Sequence, residues 1–286
     1  MTTLLAAQLI NGLAIGLLYA LTAFGLSIIK GLLNVPNFAH GAFYALGAYV
    51  CYAAHQAGAP FALALACAFV APGLLGALVE KLGVARLMAS SYLYQLLFLF
   101  GIALILEQLI IIAWGTVGLS MSPPAILQGA FDLGFTYLPR YLVFNAVMAG
   151  LVIAAVYLLI ERTRIGSQIR AGIDKREMAQ CLGVDVGRLL TAGFALGSAL
   201  AGLAGGLVLP LLGANATMGQ DMLAIAFVVL VIGGLGSIYG AIAAGLIVGV
   251  IQSVSSVFVP EASTVLIYVA MVATIMIRPQ GLFGER

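Results

Sequence analysis

Apolar residues run through this chain in long uninterrupted blocks, and the polar residues fall between the blocks instead of alternating within them. A bilayer core takes roughly 20 apolar residues per helix, so the intervals between charges set how many crossings are possible. Residues 1–29 carry no charge, and Lys30 closes that block. A cleaved secretory leader opens with a basic segment and a shorter apolar core. This stretch has neither, which predicts a retained span over residues 4–29. From Gly31 to Val79 there is again no charge, but the turn residues Asn34, Pro36 and Asn37, then Gly58 and Pro60, divide the block into spans at 36–55 and 61–79. Glu80, Lys81 and Arg86 mark an aqueous loop, and a fourth span follows at 91–114 with Glu107 inside it. Residues 116–140, with Pro123, Pro124, Asp132 and Pro139, read as an extramembrane loop with a short surface helix. Further spans are predicted at 141–160 and 189–212, the latter followed by a polar turn at 215–221.

The uncharged window 222–260 is interrupted by Gly233-Gly234-Leu235-Gly236-Ser237-Ile238-Tyr239-Gly240. Residues 222–235 are short for a crossing, so the pattern predicts a half-length helix followed by a complete one at 241–259. Such interruptions are tolerated where protein or water satisfies the freed backbone groups. A short last span, 264–277, ends at Arg278-Pro279. The prediction is an all-α polytopic membrane bundle of about eight or nine helices, some discontinuous, with residues 1–286 forming a single transmembrane domain.

Charge placement fixes an orientation. Residues 161–188 hold ten of the chain's charged residues and six of its 12 Lys and Arg, so this loop cannot lie in lipid and is expected to be cytoplasmic. Counting outward from it puts Lys30, Lys81, Arg86, Arg278 and Arg286 inside and only Arg140 outside, with the N-terminus out and the C-terminus in.

Composition agrees: 63% of residues are hydrophobic, 8% are charged, and mean hydropathy is +1.17. A soluble domain carries about a quarter charged residues, so a soluble enzyme, a disordered chain and a nucleic-acid binder are excluded. Membrane lipid is the expected surrounding. Cys51, Cys67 and Cys181 are too few and too scattered for a disulfide framework or a metal site, and are expected as free thiols. No cofactor or metal is expected.

The chain contains no G-x-x-x-x-G-K-[ST] loop, so uphill transport would need energy from a partner or an ion gradient. Carriers driven by gradients place ionisable residues inside the bundle, where Glu107 and His40 are the candidates. Glu107 reads either as a pathway acid or as a carboxylate near the outer interface, as Gln108 and Trp114 suggest. His55 reads as interfacial. The cluster Asn37-Phe38-Ala39-His40-Gly41 has two readings: a discontinuous helix lining a translocation path, or a turn capped by Asn34 or Asn37 whose glycines serve packing. The pairs Gly12/Gly16, Gly202/Gly206 and Gly245/Gly249 have the spacing that lets helices pack closely. Residues 167–184 predict a short amphipathic helix ended by Gly183, with Ile169, Ile173, Met178 and Leu182 apolar and Arg170, Asp174, Lys175, Arg176 and Glu177 wet. A helix of that kind lies on the membrane or docks into a soluble partner. A serine protease built from Ser237 and His40 lacks the G-x-S-G context.

Four ordered segments resemble one family. Gly31-Leu32-Leu33-Asn34-Val35-Pro36-Asn37-Phe38-Ala39-His40-Gly41 with Gly47-Ala48-Tyr49 is similar to the N-terminal signature of the branched-chain amino acid ABC transporter permeases. Arg170-Ala171, Met178-Ala179 and Leu182-Gly183-Val184 resemble that family's coupling segment. Gly233-Gly234-Leu235-Gly236-Ser237 and Arg278-Pro279-Gln280-Gly281 resemble its third signature and its ending, although Tyr239 stands where proline is expected. The resemblance implies a permease subunit, without its own ATPase site, in a bacterial inner membrane. Its implied partners are a second related permease, two cytoplasmic ATP-binding subunits and a periplasmic amino-acid-binding protein. It implies coupling through Arg170, Ala171, Ala179, Leu182 and Gly183. The expected substrate pathway includes Asn37, His40, Gly41, Gly234, Gly236 and Ser237, with glycine-flanked helix ends offering amides to a substrate carboxylate. The implied cargo is a branched-chain or other hydrophobic amino acid. Urea, short amides or another small polar solute remain alternatives within the class, and an ion-driven carrier remains one outside it.

Overall fold

The computed structural model describes residues 2–33, 35–88, 90–134, 136–174 and 176–284. Among them, helices account for nearly everything: α1 (Thr2–Leu33), α2 (His40–Gln56), α3 (Phe61–Val79), α4 (Tyr92–Trp114), α5 (Arg140–Arg162), α6 (Arg164–Asp174), α7 (Arg176–Cys181), α8 (Val186–Leu212), α9 (Met218–Gly233), α10 (Ile238–Phe258) and α11 (Ser263–Ile277). Seven helical stretches are long and apolar enough to cross a membrane, with α2 and α9 shorter. The fold is the all-α polytopic bundle that the charge-free windows predict.

Two helices form the centre. α1 is flanked by α5, α8, α9 and α10, while α8 packs on α1, α2 and α3. Small residues make this possible. The glycine pairs bring backbones together as their spacing predicts: Gly12 meets Gly249 and Val250, Gly16 meets Gly245 and Leu246, and Gly202 meets Ala68 and Pro72. By contrast α4 and α11 turn large apolar side chains outward, among them Leu93, Leu97, Ile112, Val265 and Met276. An apolar exterior suits hydrocarbon, where each helix satisfies its own backbone. Pro210 interrupts α8, and there Tyr141 Oη and Asn145 Nδ2 both donate to the Leu207 carbonyl, at 2.9 and 2.8 Å.

Several boundaries differ from the sequence reading. α1 passes through Lys30 and stops at Leu33, because a charge at a helix end does not itself break the backbone ladder. The second helix begins at His40, not at residue 36, since Pro36 and Asn37 belong to an extended turn. The aqueous loop expected around Glu80 is absent. α3 continues through a π-helical segment, Glu80–Val84, to Ala85–Leu87. Glu80 is only 1% exposed and accepts from Thr191 Oγ1 at 2.5 Å, so a partner on α8 holds the carboxylate inside. The surface helix expected within 116–140 reduces to a 3-10 turn, Ala125–Leu127, beside a two-stranded hairpin, β1 (Ala130–Asp132) and β2 (Tyr137–Pro139). The half-length helix starts earlier than expected, at Met218, and ends at Gly233. Asn34, Lys175 and Arg286 lie outside the described residues, as do the side chains of Ile173, Asp174, Arg176 and Glu177.

Candidate functional site

The distinctive local geometry is the entry into α2. His40 Nε2 donates to the Thr22 carbonyl at 2.9 Å, and Thr22 lies about 16 Å back along α1 from Leu33 at 1.5 Å per residue. After leaving α1 the chain therefore turns back into the bundle before α2 begins. The Asn37 side chain accepts from the Ala39 amide at 3.0 Å, which shapes the turn and is not a cap on the helix; α2 has no side-chain cap. Asn37 and His40 are both fully buried. Asn37 Nδ2 and His40 Nδ1 have no hydrogen-bond partner among the described residues.

α9 begins at the same depth. The backbones of Gly41 and Gly219 touch so closely that a Cβ on either would strike the carbonyl of the other. The rings of Phe38 and Phe227 meet at 5.4 Å, tilted by 40°. From that junction α2 runs toward the Trp114 end of α4, where Tyr49 meets the Trp114 ring at 5.2 Å. α9 runs the other way, toward Gly236, which abuts Gly31 at the end of α1. Seventeen and 16 residues give about 25 and 24 Å, less than the roughly 30 Å of a hydrocarbon core. Two shortened helices thus start back to back inside the bundle.

Beside this junction lies a cavity of about 390 Å³ between α2, α4 and α9. Its walls include Phe38, Gly41, Ala42, Phe100, Gly219 and Phe227, and they are apolar apart from Glu107 and Gln220. Gln220 Nε2 donates to Glu107 Oε2 at 2.7 Å. Of the residues expected along a pathway, Gly41 lines this cavity. His40 packs away from it, on Thr22 and Gly25.

Gly234, Gly236 and Ser237 are elsewhere, in the α9–α10 turn. Ser237 caps α10 by accepting from the Gly240 amide at 3.1 Å. The chain after Arg278 lies along this turn: the Leu282 amide donates to the Ile232 carbonyl at 2.8 Å and the Phe283 amide to Gly233 at 3.0 Å. Sequence reading missed this strap, because main-chain bonds between distant segments leave no side-chain pattern. It also missed Gln220, whose place in a polar turn was visible but whose partner was not. Ser237→Ala is expected to lower stability by about 1 kcal/mol through the lost cap, read from thermal unfolding of the purified chain.

The charged connection between α5 and α8 is held to the bundle by Ile169 and Ala179, both buried. Arg170 donates to the Ile160 carbonyl and pairs with Glu161 at 3.3 Å, fastening α6 to the end of α5. Ala171 is exposed. Met178 is 60% and Leu182 82% exposed, so the single apolar face expected from Ile169, Met178 and Leu182 divides into an inward anchor and an outward pair. The turn after α7 is closed by Val184 N to Ala179 O at 3.1 Å and Gly183 N to Gln180 O at 2.9 Å, with Gly183 at φ 81°.

An apolar helical bundle with two shortened helices meeting inside it defines a polytopic integral membrane protein. The chain belongs to the family described as branched-chain amino acid transport system, permease component, whose family model matches residues 8–275. It is 27% identical to the LivH high-affinity branched-chain amino acid transport system permease protein of Salmonella typhimurium, over 97% of this chain and 95% of that one. It is 28% identical to BraD of Pseudomonas aeruginosa, a permease protein of the same description, with the same coverage. A probable LivH of Methanocaldococcus jannaschii is 28% identical over 93% of this chain and 89% of its own. The solved PsaBC from Streptococcus pneumoniae in complex with Fab aligns at a TM-score of 0.50 and 13% identity, covering 93% of this chain and 89% of that one, a likeness of fold.

Proposed function

We propose that this chain is the permease subunit of an ATP-driven importer, passing branched-chain or other hydrophobic amino acids that a periplasmic binding protein delivers. Residues 1–286 act as one transmembrane domain beside a second related permease in a bacterial inner membrane, with the N-terminus outside and the C-terminus inside. Two cytoplasmic ATP-binding subunits drive it through the segment 161–188, in which Arg170, Ala171, Ala179, Leu182 and Gly183 form the coupling element.

The observation that carries this reading is the division of α7 and the turn after it into two faces. Ala179 is sealed against the bundle while Met178 and Leu182 project outward. Large apolar side chains standing free on a strongly charged loop suit an aqueous partner's groove better than water. In this scheme Arg170 is a positioning residue, since its bonds to Ile160 and Glu161 transmit motion of α6 to α5. Family membership over residues 8–275 supports transport of this cargo class.

The reading is tested by reconstitution. The assembled complex in liposomes should accumulate leucine only with hydrolysable ATP, and the chain alone should not. Gradient-driven uptake by the chain alone would replace this reading with an ion-driven carrier. Gly183→Val forces a β-branched residue into a left-handed turn at a cost of about 1–2 kcal/mol. It should tilt Leu182 and reduce ATP-dependent uptake about tenfold, with the bundle still folded by size-exclusion chromatography and thermal unfolding. Normal uptake in this variant would remove Gly183 from the coupling element.

A further inference from the structure

A groove of about 810 Å³ runs between α3 and α5, with Leu203 of α8 as its floor. It shares no residue with the cavity beside Gly41, and every side chain that lines it is apolar. α3 and α5 both pack on α8 and start at the same end, where Phe61 meets Tyr141 and Phe144, ring centres 6.1 and 6.3 Å apart. From there the walls extend from Phe61 to Val70 and from Phe144 to Val156, about 14 and 18 Å at 1.5 Å per residue. One leaflet supplies about half of a roughly 30 Å hydrocarbon core, so the groove is one leaflet deep. A partner helix crossing the bilayer would run on past its inner end, whereas a lipid tail stops there. Ala62, Ala66 and Ala155 keep the walls low where larger side chains would close the gap.

The mouth carries a cation. Arg140 is the first residue of α5, at the end away from the charged segment 161–188, and it lies one turn before Phe144 on the same helix face. It is exposed, its guanidinium sits 5.3 Å from the centre of the Phe131 ring, and no carboxylate pairs with it among the described residues. The planar guanidinium fork matches a phosphate. Close by, Ile126 in the loop before α5 lines the groove and is 87% exposed, a large apolar side chain that suits an interface with lipid better than water.

We infer that this groove holds one acyl chain of a glycerophospholipid whose phosphate rests on Arg140. The tail covers walls that α3 and α5 leave open, and the phosphate supplies the anion that Arg140 lacks. Such a site depends only on a bundle embedded in lipid, whatever the cargo or the energy source.

The test uses the full chain, extracted from its membrane with the subunits that accompany it and placed in nanodiscs. These contain phosphatidylglycerol with a diazirine midway along a palmitoyl chain. On illumination, residues 61–70 and 144–156 should be labelled about fivefold more than the outward faces of α4 and α11, the margin expected from one basic residue at a membrane surface. Arg140→Gln should bring the groove down to the level of those faces. Ala66→Phe, which fills the groove, should do the same without changing α4 or α11. Both positions are exposed, so both variants should keep the parent size-exclusion profile. Equal labelling of the groove, α4 and α11 in the parent overturns the inference, as does groove labelling unchanged in either variant. A photo-crosslinking benzoylphenylalanine in place of Met148 should capture lipid. Capture of a second protein chain there would put a partner in the groove and overturns the inference as well.

Discussion

Gly47→Leu is expected to abolish folding of the bundle. A Cβ at Gly47 would fall on the main chain of Gly202, and a Cβ at Gly205 would fall on the Tyr44 carbonyl, so α2 and α8 touch backbone to backbone. In lipid no hydrophobic force drives helices together, and close packing of this kind supplies much of the association. Even Gly47→Ala puts a Cβ 2.1 Å from the Gly202 carbonyl oxygen, so a central helix must move by about an ångström, at a cost of about 1–3 kcal/mol. Leucine adds three more carbons with nowhere to go, so the expected result is loss of the monodisperse peak in size-exclusion chromatography. Gly101→Leu and Gly150→Leu are the controls: a Cβ at either position meets nothing within 4 Å, and both variants should behave like the parent. A well-folded Gly47→Leu protein would mean that α2 and α8 are not in direct backbone contact.

The second large effect is expected at Leu182. This side chain is 82% exposed and touches little of its own chain, so replacing it leaves the bundle intact. If it fills a groove on an ATP-binding subunit, Leu182→Asp buries an unpaired carboxylate there. Central interface side chains are worth about 2 kcal/mol or more, roughly a 30-fold change in affinity. The ATP-binding subunits should then no longer co-purify with the permease, and uptake should fall at least in proportion. Leu158→Asp would not serve as a comparison, since Leu158 faces outward within the membrane-spanning α5. Gln180→Asp, exposed on α7 beside the apolar pair, is the control for charge alone and should retain most of the association. Unchanged co-purification of Leu182→Asp would move the coupling contact off the turn after α7.

Much of the fold was legible because charge is so sparse. Lys30, the Glu80 to Arg86 group and the dense run 161–188 cut the chain into blocks of nearly the right length. The Gly233 to Gly240 run announced an interruption that the structure shows between α9 and α10. What composition hid was orientation about each helix axis. α4 is apolar over most of its surface, and its few polar residues, Gln95, Glu107 and Gln108, do not tell that Glu107 turns toward α9 and Ile112 outward. Depth was hidden too. A run of apolar residues shows that a segment belongs in lipid, but His40 meets Thr22, not Leu33, only because the preceding turn re-enters the bundle. Glu80 misled for the opposite reason: a charge was read as a loop when Thr191, distant in sequence, keeps it inside. The Glu107–Gln220 pair joins an acid noticed within a span to a residue passed over inside a polar turn.

The back-to-back start of α2 and α9 also orders biogenesis. α2 leaves the ribosome long before Met218 is translated, yet Gly41 needs Gly219 as its packing surface and Phe38 needs Phe227. Until then α2 rests on α3 and α8, and His40 on Thr22 of α1, while the face bearing Phe38 and Gly41 lacks its cover. A nascent chain stalled before Met218 should leave that face open to quality-control proteases, so the late-made helix is the one that completes the early one.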